Sequence, residues 1–373
     1  MTVSIDTDTV TAIADNTAQS GGVIVAPPAD ITAYGVCWNK TGSPTTADPH
    51  TVDSAPTYDE VADLYLHSGE NGTTYSYKRF TGGTGTDESF MATVMLCDCH
   101  DITFDHCIFE ACSVTASSGA GSGYKVGNDL KIYTTGHVYN IYFNNCLFRS
   151  AYRMGAEING RGSGSRYYNN VNFSYCTFEP SQSEPISYDD DTGNSGSCTV
   201  DHCVLGGAGF DMTGRGGYDL GYHQNLELNN VGAIGKLMTV SNNTLYCTAT
   251  DMFNLQMDVA KIANDCGWVF TNNTLRGDQE FTDARAAALG CPSGSDFSSG
   301  SGITPIGNLI CGYNFRGGSW SGNTFVNGNS NVASWMSGCG NVHMTGSSWS
   351  GTNTTHTDTT PDVPVSCTGM QYT

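Results

Sequence analysis

Three stretches of this chain gather acids, bases and aromatic side chains in a pattern that could do chemistry. Arg149 to Arg166 holds Arg149, Arg153, Arg161 and Arg166. Glu179 to Asp191 holds Glu184 and the run Tyr188-Asp189-Asp190-Asp191, and Gly206 to His223 holds Asp211, Arg215, Tyr218, Asp219 and His223. A glycoside hydrolase needs two carboxylates across the scissile bond, roughly 5 to 9.5 Å apart. Asp189 or Asp190 with Asp211 is the pair that could supply them. A polysaccharide lyase needs a base, and a cation or arginine to neutralise a uronate carboxylate. Arg215, Tyr218 or His223 could serve there, with the acidic run holding Ca²⁺. Arg153, Arg161 and Tyr188 would line the same surface as substrate contacts. The plainer reading is solvated loop charge with some Arg–Asp pairs, and it stands ahead of carbohydrate contact and of catalysis.

What would bring these stretches together is an internal repeat. An eight-residue pattern (apolar, any, apolar, small polar, any, Cys or Asn, any, apolar) reads ITFDHCIF from Ile102, IYFNNCLF from Ile141 and VNFSYCTF from Val171. It continues as CTVDHCVL from Cys198, MTVSNNTL from Met238 and WVFTNNTL from Trp268, with weaker copies from Gly318 and Val342 and a partial copy, LELNNVGA, from Leu226. Alternation with period two turns the first and third residues inward on one short strand. The polar fourth residue and its neighbour turn the chain, and the sixth and eighth residues point inward on the next strand.

The sixth position runs Cys107, Cys146, Cys176, Cys203, Asn243, Asn273, Asn323, Ser347. Stacked at the strand spacing of about 4.8 Å, such a row is expected to form a structural ladder. Inward Asn would bond its amide to the next Asn and to turn backbone, and inward Cys would fill the same slot as a small, reduced, apolar group. Gaps of 24 to 30 residues between copies suit one circuit of a solenoid, and gaps of 39 to 50 suit one circuit with a long loop, or two. The three charged stretches follow the eighth position in successive circuits, so as loops they would stack into one lateral surface. Tyr152, Tyr167, Tyr168 and Tyr222 are expected there as exposed aromatics.

Composition agrees with an elongated all-β chain. Charged residues are 14% of the 373, against about 25% in ordinary domains, so helical bundles are disfavoured. The 36 acidic and 15 basic residues give a net charge of −21, which disfavours a nucleic-acid duplex or an anionic membrane surface as partner. No apolar window is long enough for a membrane span, and Met1 to Ser20 reads without the basic and apolar regions of a Sec signal. Cys97-x-Cys99, His106 and His202 read as structural rather than as metal ligands. The 15 cysteines leave room for a bridge such as Cys311 with Cys339. No resident cofactor is expected beyond optional Ca²⁺.

The repeats resemble the right-handed parallel β-helix of the pectate-lyase-like superfamily, whose members include pectin-degrading enzymes, alginate lyases and phage tail spikes. The start is similar too: Thr9 to Gln19 would be a short capping helix before the Gly-Gly-strand-Pro segment Gly21 to Pro28. The resemblance implies a single-stranded, right-handed β-helix. Of the motifs it would imply for pectin-type hydrolases, Gly-His-Gly and Arg-Ile-Lys are absent from the sequence. The expected organisation is an N-terminal cap at 1–35, irregular early coils or a small insertion at 36–90, the β-helix at 91–350 and a C-terminal cap at 351–373, with a short helix at Thr282 to Leu289. The expected role is a structural or adhesive part of a phage or virus particle, on the virion or extracellular surface, that binds glycans or other virion proteins. The resemblance implies a homotrimer. The alternative is a lyase or hydrolase of an acidic polysaccharide.

Overall fold

The computed structural model describes side chains at residues 57–67, 71–83, 92–110, 127–133, 136–149, 151–159, 167–190, 196–208, 224–229, 231, 236–246, 267–291, 309–310 and 318–326, and elsewhere places backbone strands only. The chain divides into two compact units, one of residues 1–57 with 282–295 and one of 58–281 with 296–373.

The smaller unit holds three antiparallel strand pairs, Ile5–Thr7 with Gly22–Ile24, Thr11–Ala14 with Thr17–Gln19, and Ala33–Tyr34 with Asp53–Ser54. The helix expected at Thr9 to Gln19 is therefore corrected to a strand pair. β-Branched residues crowd that segment (Thr9, Val10, Thr11, Ile13), and such side chains favour the extended chain. The Ala-rich segment forms the helix Asp283–Ala288, with Thr282 Oγ1 accepting from the Arg285 N–H at 3.3 Å as its N-cap.

The larger unit is all-β and is built on three parallel sheets of ten, ten and eleven strands, with one antiparallel pair, Val114–Thr115 and Lys125–Val126, beside them in sequence. The chain deals its strands to them in a fixed cycle. Ala92–Leu96 goes to sheet I, His100–Asp105 to sheet II and Ile108–Phe109 to sheet III; the next circuit supplies Asn128–Tyr133, His137–Asn144 and Leu147–Phe148 to the same three sheets. Each new strand lies parallel beside its predecessor. Such a cycle is compatible with a parallel β-helix. Sheets II and III carry the two halves of the eight-residue repeat. The sheet III strands that follow Cys107 and Cys146 are adjacent, as are those that follow Cys203 and Asn243, and those that follow Asn273 and Asn323. Every one of these longer gaps is therefore a single circuit with a loop inserted. The partial repeat at Leu226 is corrected: Leu226–Asn229 is a strand of sheet I.

The core lies between the sheets and is built from rows of like side chains. On sheet III, Phe80, Phe109, Phe148 and Phe178 stack with ring centroids 5.2, 4.4 and 4.3 Å apart. On sheet II, Phe104, Phe143 and Phe173 stack at 5.0 and 4.7 Å, and Phe270 meets Trp320 at 4.0 Å. Sheet I contributes Leu130, Ala156, Ile186 and Leu226 in one row and Ile132, Ile158, Tyr188 and Leu228 in the next. All of these are fully buried. Each Phe withdrawn from water stabilises the fold by about 1.5–3 kcal/mol, and the register repeats that gain circuit after circuit.

Between sheets II and III only the fifth and sixth repeat residues turn the chain, as His106 and Cys107 do between His100–Asp105 and Ile108–Phe109. The fifth adopts a left-handed backbone at Tyr77, His106, Asn145, Tyr175, His202, Asn242, Asn272 and Gly322, with φ between 51° and 65°. Its N–H donates to the carbonyl of the fourth residue in the following circuit, as from His106 to Asn144 at 2.9 Å and from Tyr175 to Asp201 at 3.0 Å.

Candidate functional site

The first two charged stretches following the eighth repeat position are not loops throughout: each is divided by a strand of sheet I, Ala156–Asn159 in the first and Ile186–Asp189 in the second. The third, Gly206 to His223, lies outside the described residues beyond Ala208. The residues before each strand form a tight corner. Gln182 N–H donates to Ala151 O at 3.1 Å, Ser183 N–H to Arg153 O at 2.7 Å and Gly155 N–H to Glu184 O at 3.0 Å. The whole run 179–190 is buried. Tyr152 and Tyr168 are corrected accordingly from exposed aromatics to buried ones, at 5% and 0% exposure. Tyr167 is half-buried. Tyr222 lies outside the described residues.

In that corner Arg149 occupies the place after the eighth repeat residue, between acids from the circuits on either side. Its guanidinium lies 3.1 Å from Glu110 and 3.7 Å from Glu179, and Glu110 also pairs with Arg79 at 2.5 Å. Arg149 and Glu179 are buried. Breaking such a pair by removing one partner leaves an uncompensated charge, which costs about 3–5 kcal/mol.

The outer side of sheet I carries a second polar assembly. Lys131, Glu157, Ser187 and Glu227 form one row across it, and Tyr133, Asn159, Asp189 and Asn229 form the neighbouring row. Lys131 Nζ lies 2.8 Å from Glu157 Oε2, which also accepts from Asn128 Nδ2 at 2.6 Å, while Asn159 Nδ2 donates to Oε1 at 3.3 Å. Burial pushes the Glu157 carboxyl upward, but the positive charges of Lys131 and Arg153 outweigh it and bring its pKa down from the ordinary 4.5 to about 2. One circuit on, Ser187 Oγ donates to Glu227 Oε2 at 2.7 Å and Asn229 Nδ2 to Oε1 at 3.3 Å.

Asp189 and Asp190 sit beside this assembly, 5% and 1% exposed, with the Asp190 N–H donating to Asn229 O at 2.9 Å. Arg153 is half-buried and faces Glu157 electrostatically. Tyr188 is fully buried in the core, its hydroxyl donating to Val171 O at 2.9 Å. Burial pushes its phenol well up. The placement of Tyr188 in a contact loop is thus corrected: alternation along Ile186–Asp189 turns its ring inward. Arg161, Asp211, Arg215, Tyr218 and His223 lie outside the described residues, as does the Cys311–Cys339 pairing.

Chemically, an ionised Glu157 held by a charged Lys131 is neither a free base nor a free nucleophile at neutral pH. It fixes Asn128, and Asn128 Oδ1 in turn accepts from the Met154 N–H at 3.1 Å. Among the described residues, no group of three or more His, Cys, Asp and Glu could hold a metal ion. Cys97 and Cys99 are buried, and burial pushes the Cys97 thiol up. Lys131, Asn128, Glu157 and Glu227 escape a reading centred on loops. The signal for Lys131, Glu157 and Glu227 is the alternation in LKI, AEIN and LELN, where polar residues separate inward apolar ones.

The sixth repeat position forms an inner row. Cys107, Cys146, Cys176 and Cys203 are free and buried. Cys146 Sγ donates to Phe104 O at 3.5 Å, and Cys176 Sγ to Phe143 O at 3.4 Å. Asn243 Nδ2 donates to Val200 O and to Asn273 Oδ1, both at 2.9 Å, and Asn273 Nδ2 donates to Val240 O at 2.8 Å and to Asn323 Oδ1 at 2.9 Å. From Cys107 to Cys203, and at Asn243, Asn273 and Asn323, the row is buried and contributes architecture rather than a binding surface.

No protein family, curated protein or solved structure matches this chain.

Proposed function

We propose that the chain is a right-handed, single-stranded parallel β-helix of the pectate-lyase-like kind that serves as a structural or adhesive part of a phage or virus particle, as a spike, fibre or head decoration that binds glycans. The carrying observation is the buried pairing of Lys131 with Glu157, which occupies the outer face of sheet I with a self-satisfied ion pair. The pairing of Arg149 with Glu110 and Glu179 supports the same reading. A trimer of identical chains on a virion or extracellular surface belongs to this proposal.

The second reading is a lyase or hydrolase of an acidic polysaccharide. It is favoured by one feature: Glu157, Asp189 and Glu227 bring acids from three successive circuits onto one face of sheet I.

The test is purified chain on a panel of uronate-containing and neutral polysaccharides, followed by absorbance of unsaturated products and release of reducing ends, with Asp190→Ala and Arg215→Ala in parallel. The expected result is no cleavage, retention on a glycan array and a trimer by light scattering. Cleavage abolished by either substitution overturns the proposal and installs the enzyme. A monomer overturns the spike version.

A further inference from the structure

The left-handed fifth position of the repeat is a place where backbone sterics favour Gly and Asn. Asn145, Asn242, Asn272 and Gly322 obey that preference, and His106 and His202 belong to a residue type also enriched there. Tyr77 and Tyr175 do not, although their φ values of 52° and 56° are the same. A bulky side chain held in this region costs about 1 kcal/mol or more, so something other than the turn retains these two.

They are not scattered. Read along consecutive circuits, the turn is Tyr77, His106, Asn145, then Tyr175, His202, Asn242. The fourth residue keeps the same period, Ser76, Asp105 and Asn144 followed by Ser174, Asp201 and Ser241. Two nearly identical stations therefore lie three circuits apart, about 14 Å at the strand spacing.

The stations match in geometry as well. Tyr77 stacks on His106 with centroids 5.1 Å apart and planes at 25°, and Tyr175 stacks on His202 at 4.7 Å and 22°. In each, the His Nδ1 lies near the preceding Asp: His202 Nδ1 hydrogen-bonds Asp201 Oδ2 at 2.8 Å, whereas His106 Nδ1 stands 2.9 Å from Asp105 Oδ1 without hydrogen-bond geometry, and Tyr77 also meets the edge of Tyr58 at 6.2 Å. Tyr77 is 36% exposed and Tyr175 49%. Each station is a rigid aromatic platform beside hydrogen-bonding groups, the combination that takes the apolar C–H face of a sugar ring and its hydroxyls together.

We propose that this ridge binds a linear, neutral glycan laid along the stack, with one ring on the Tyr77–His106 platform and another on the Tyr175–His202 platform. The inference rests on the adhesive reading above and assigns it a site. Neutrality follows from the Asp beside each platform and from the net charge of −21, both of which repel a polyanion.

The test is a glycan array of neutral and acidic linear polymers, followed by titration with the best neutral one. Tyr77→Asn and Tyr175→Asn place at each turn the residue its φ prefers, so both variants keep the circular dichroism and melting temperature of the parent. Each is expected to weaken binding about tenfold, and the double variant further. Tyr65→Asn, at an exposed tyrosine away from the ridge, leaves binding unchanged. Equal binding by parent and double variant overturns the ridge while the adhesive reading stands. Binding to acidic polymers alone overturns the neutral assignment. A double variant that changes oligomeric state by light scattering but not binding overturns it in favour of a contact between copies. No binding by the parent to any polymer overturns the ridge and the adhesive reading together.

Discussion

The backbone N–H of Cys203 donates to Oδ1 of Asn243 at 2.7 Å. This bond joins two chemically different halves of one buried row. On the Asn side each amide oxygen receives the N–H of the preceding rung, as Asn243 N–H to Asn273 Oδ1 at 3.1 Å and Asn273 N–H to Asn323 Oδ1 at 2.9 Å. On the Cys side the thiols donate to carbonyls two residues back and in the preceding circuit.

The joint predicts an asymmetry between reciprocal exchanges. Asn243→Cys removes the acceptor of the Cys203 N–H and the donor to Val200 O, leaving buried groups unsatisfied at about 1–3 kcal/mol each. Cys203→Asn extends the amide row by one rung and costs under about 1 kcal/mol. Urea titration of the two variants reads the difference, and equal losses would refute the account.

Asn273 sits inside the row with both neighbours amides, so Asn273→Ala strips three partners at once. The expected loss is about 3 kcal/mol or more. A loss under about 1 kcal/mol in the same titration would show that the rungs do not hold the circuits together.

Glu157 makes stability depend on acid. Its folded pKa of about 2 lies below the ordinary 4.5, so its contribution is present above pH 4.5 and is lost as pH falls from there toward 2. The shift corresponds to about 3 kcal/mol. Lys131→Met removes the counter-charge, destabilises the protein by about 3 kcal/mol at pH 7 and flattens this acid limb. Lys131→Met with Glu157→Leu recovers most of the loss. Unfolding curves from about pH 7 down to about pH 2.5 check the sign, and an unchanged acid limb in Lys131→Met would sink the assignment.

Thiol labelling separates the buried cysteines from an ordinary free set. Burial pushes Cys146, Cys176 and Cys203 well up and Cys198 to about 12. Alkylation of the folded chain at about pH 8, mapped by mass spectrometry, is expected to spare all four until denaturant is added. Cys107, at the end of its row, is lowered instead, chiefly by the hydrogen bond from Cys146. It is 1% exposed, buried like the rest of the row, so it too is expected to stay unlabelled until denaturant is added. Prompt labelling of Cys176 would contradict the packing.

Gly155 tests the corner beneath the polar assembly. A Cβ there would stand 2.7 Å from Pro185 O and 3.1 Å from Phe178 Cδ1, contacts that backbone cannot relieve cheaply. Gly155→Ala is expected to cost about 1–3 kcal/mol, measured by thermal unfolding, and a neutral outcome would mean that the two corner segments separate freely.

Sheets II and III were legible in the sequence because their apolar positions keep a fixed spacing through a two-residue turn. Ile102, Phe104, Cys107 and Phe109 recur as Ile141, Phe143, Cys146 and Phe148 in register. Sheet I was not, because its distance from that repeat varies. Ala156 and Ile186 each follow a sheet III Phe by the same step, but Leu226 lies far beyond Leu205, and the inserted loop hides the alternation. The site suffered for that reason. With sheet I unseen, Tyr188 reads as a loop aromatic although its neighbours Ser187 and Asp189 alternate with it along a strand. Glu157 went unnoticed because its partner Lys131 belongs to another circuit, and only the parallel register brings the two together.

The amide row also has a direction: each Asn receives from the circuit before it and gives to the circuit after it. Such a row has no intrinsic stopping point. Duplicating the circuit between Asn243 and Asn273 would hand the new rung a donor on one side and an acceptor on the other. Duplicating a circuit on the Cys side adds no such obligation. The length of the molecule is therefore adjustable by whole circuits at little cost, whereas insertion of a single residue within the repeat would break every rung it displaced.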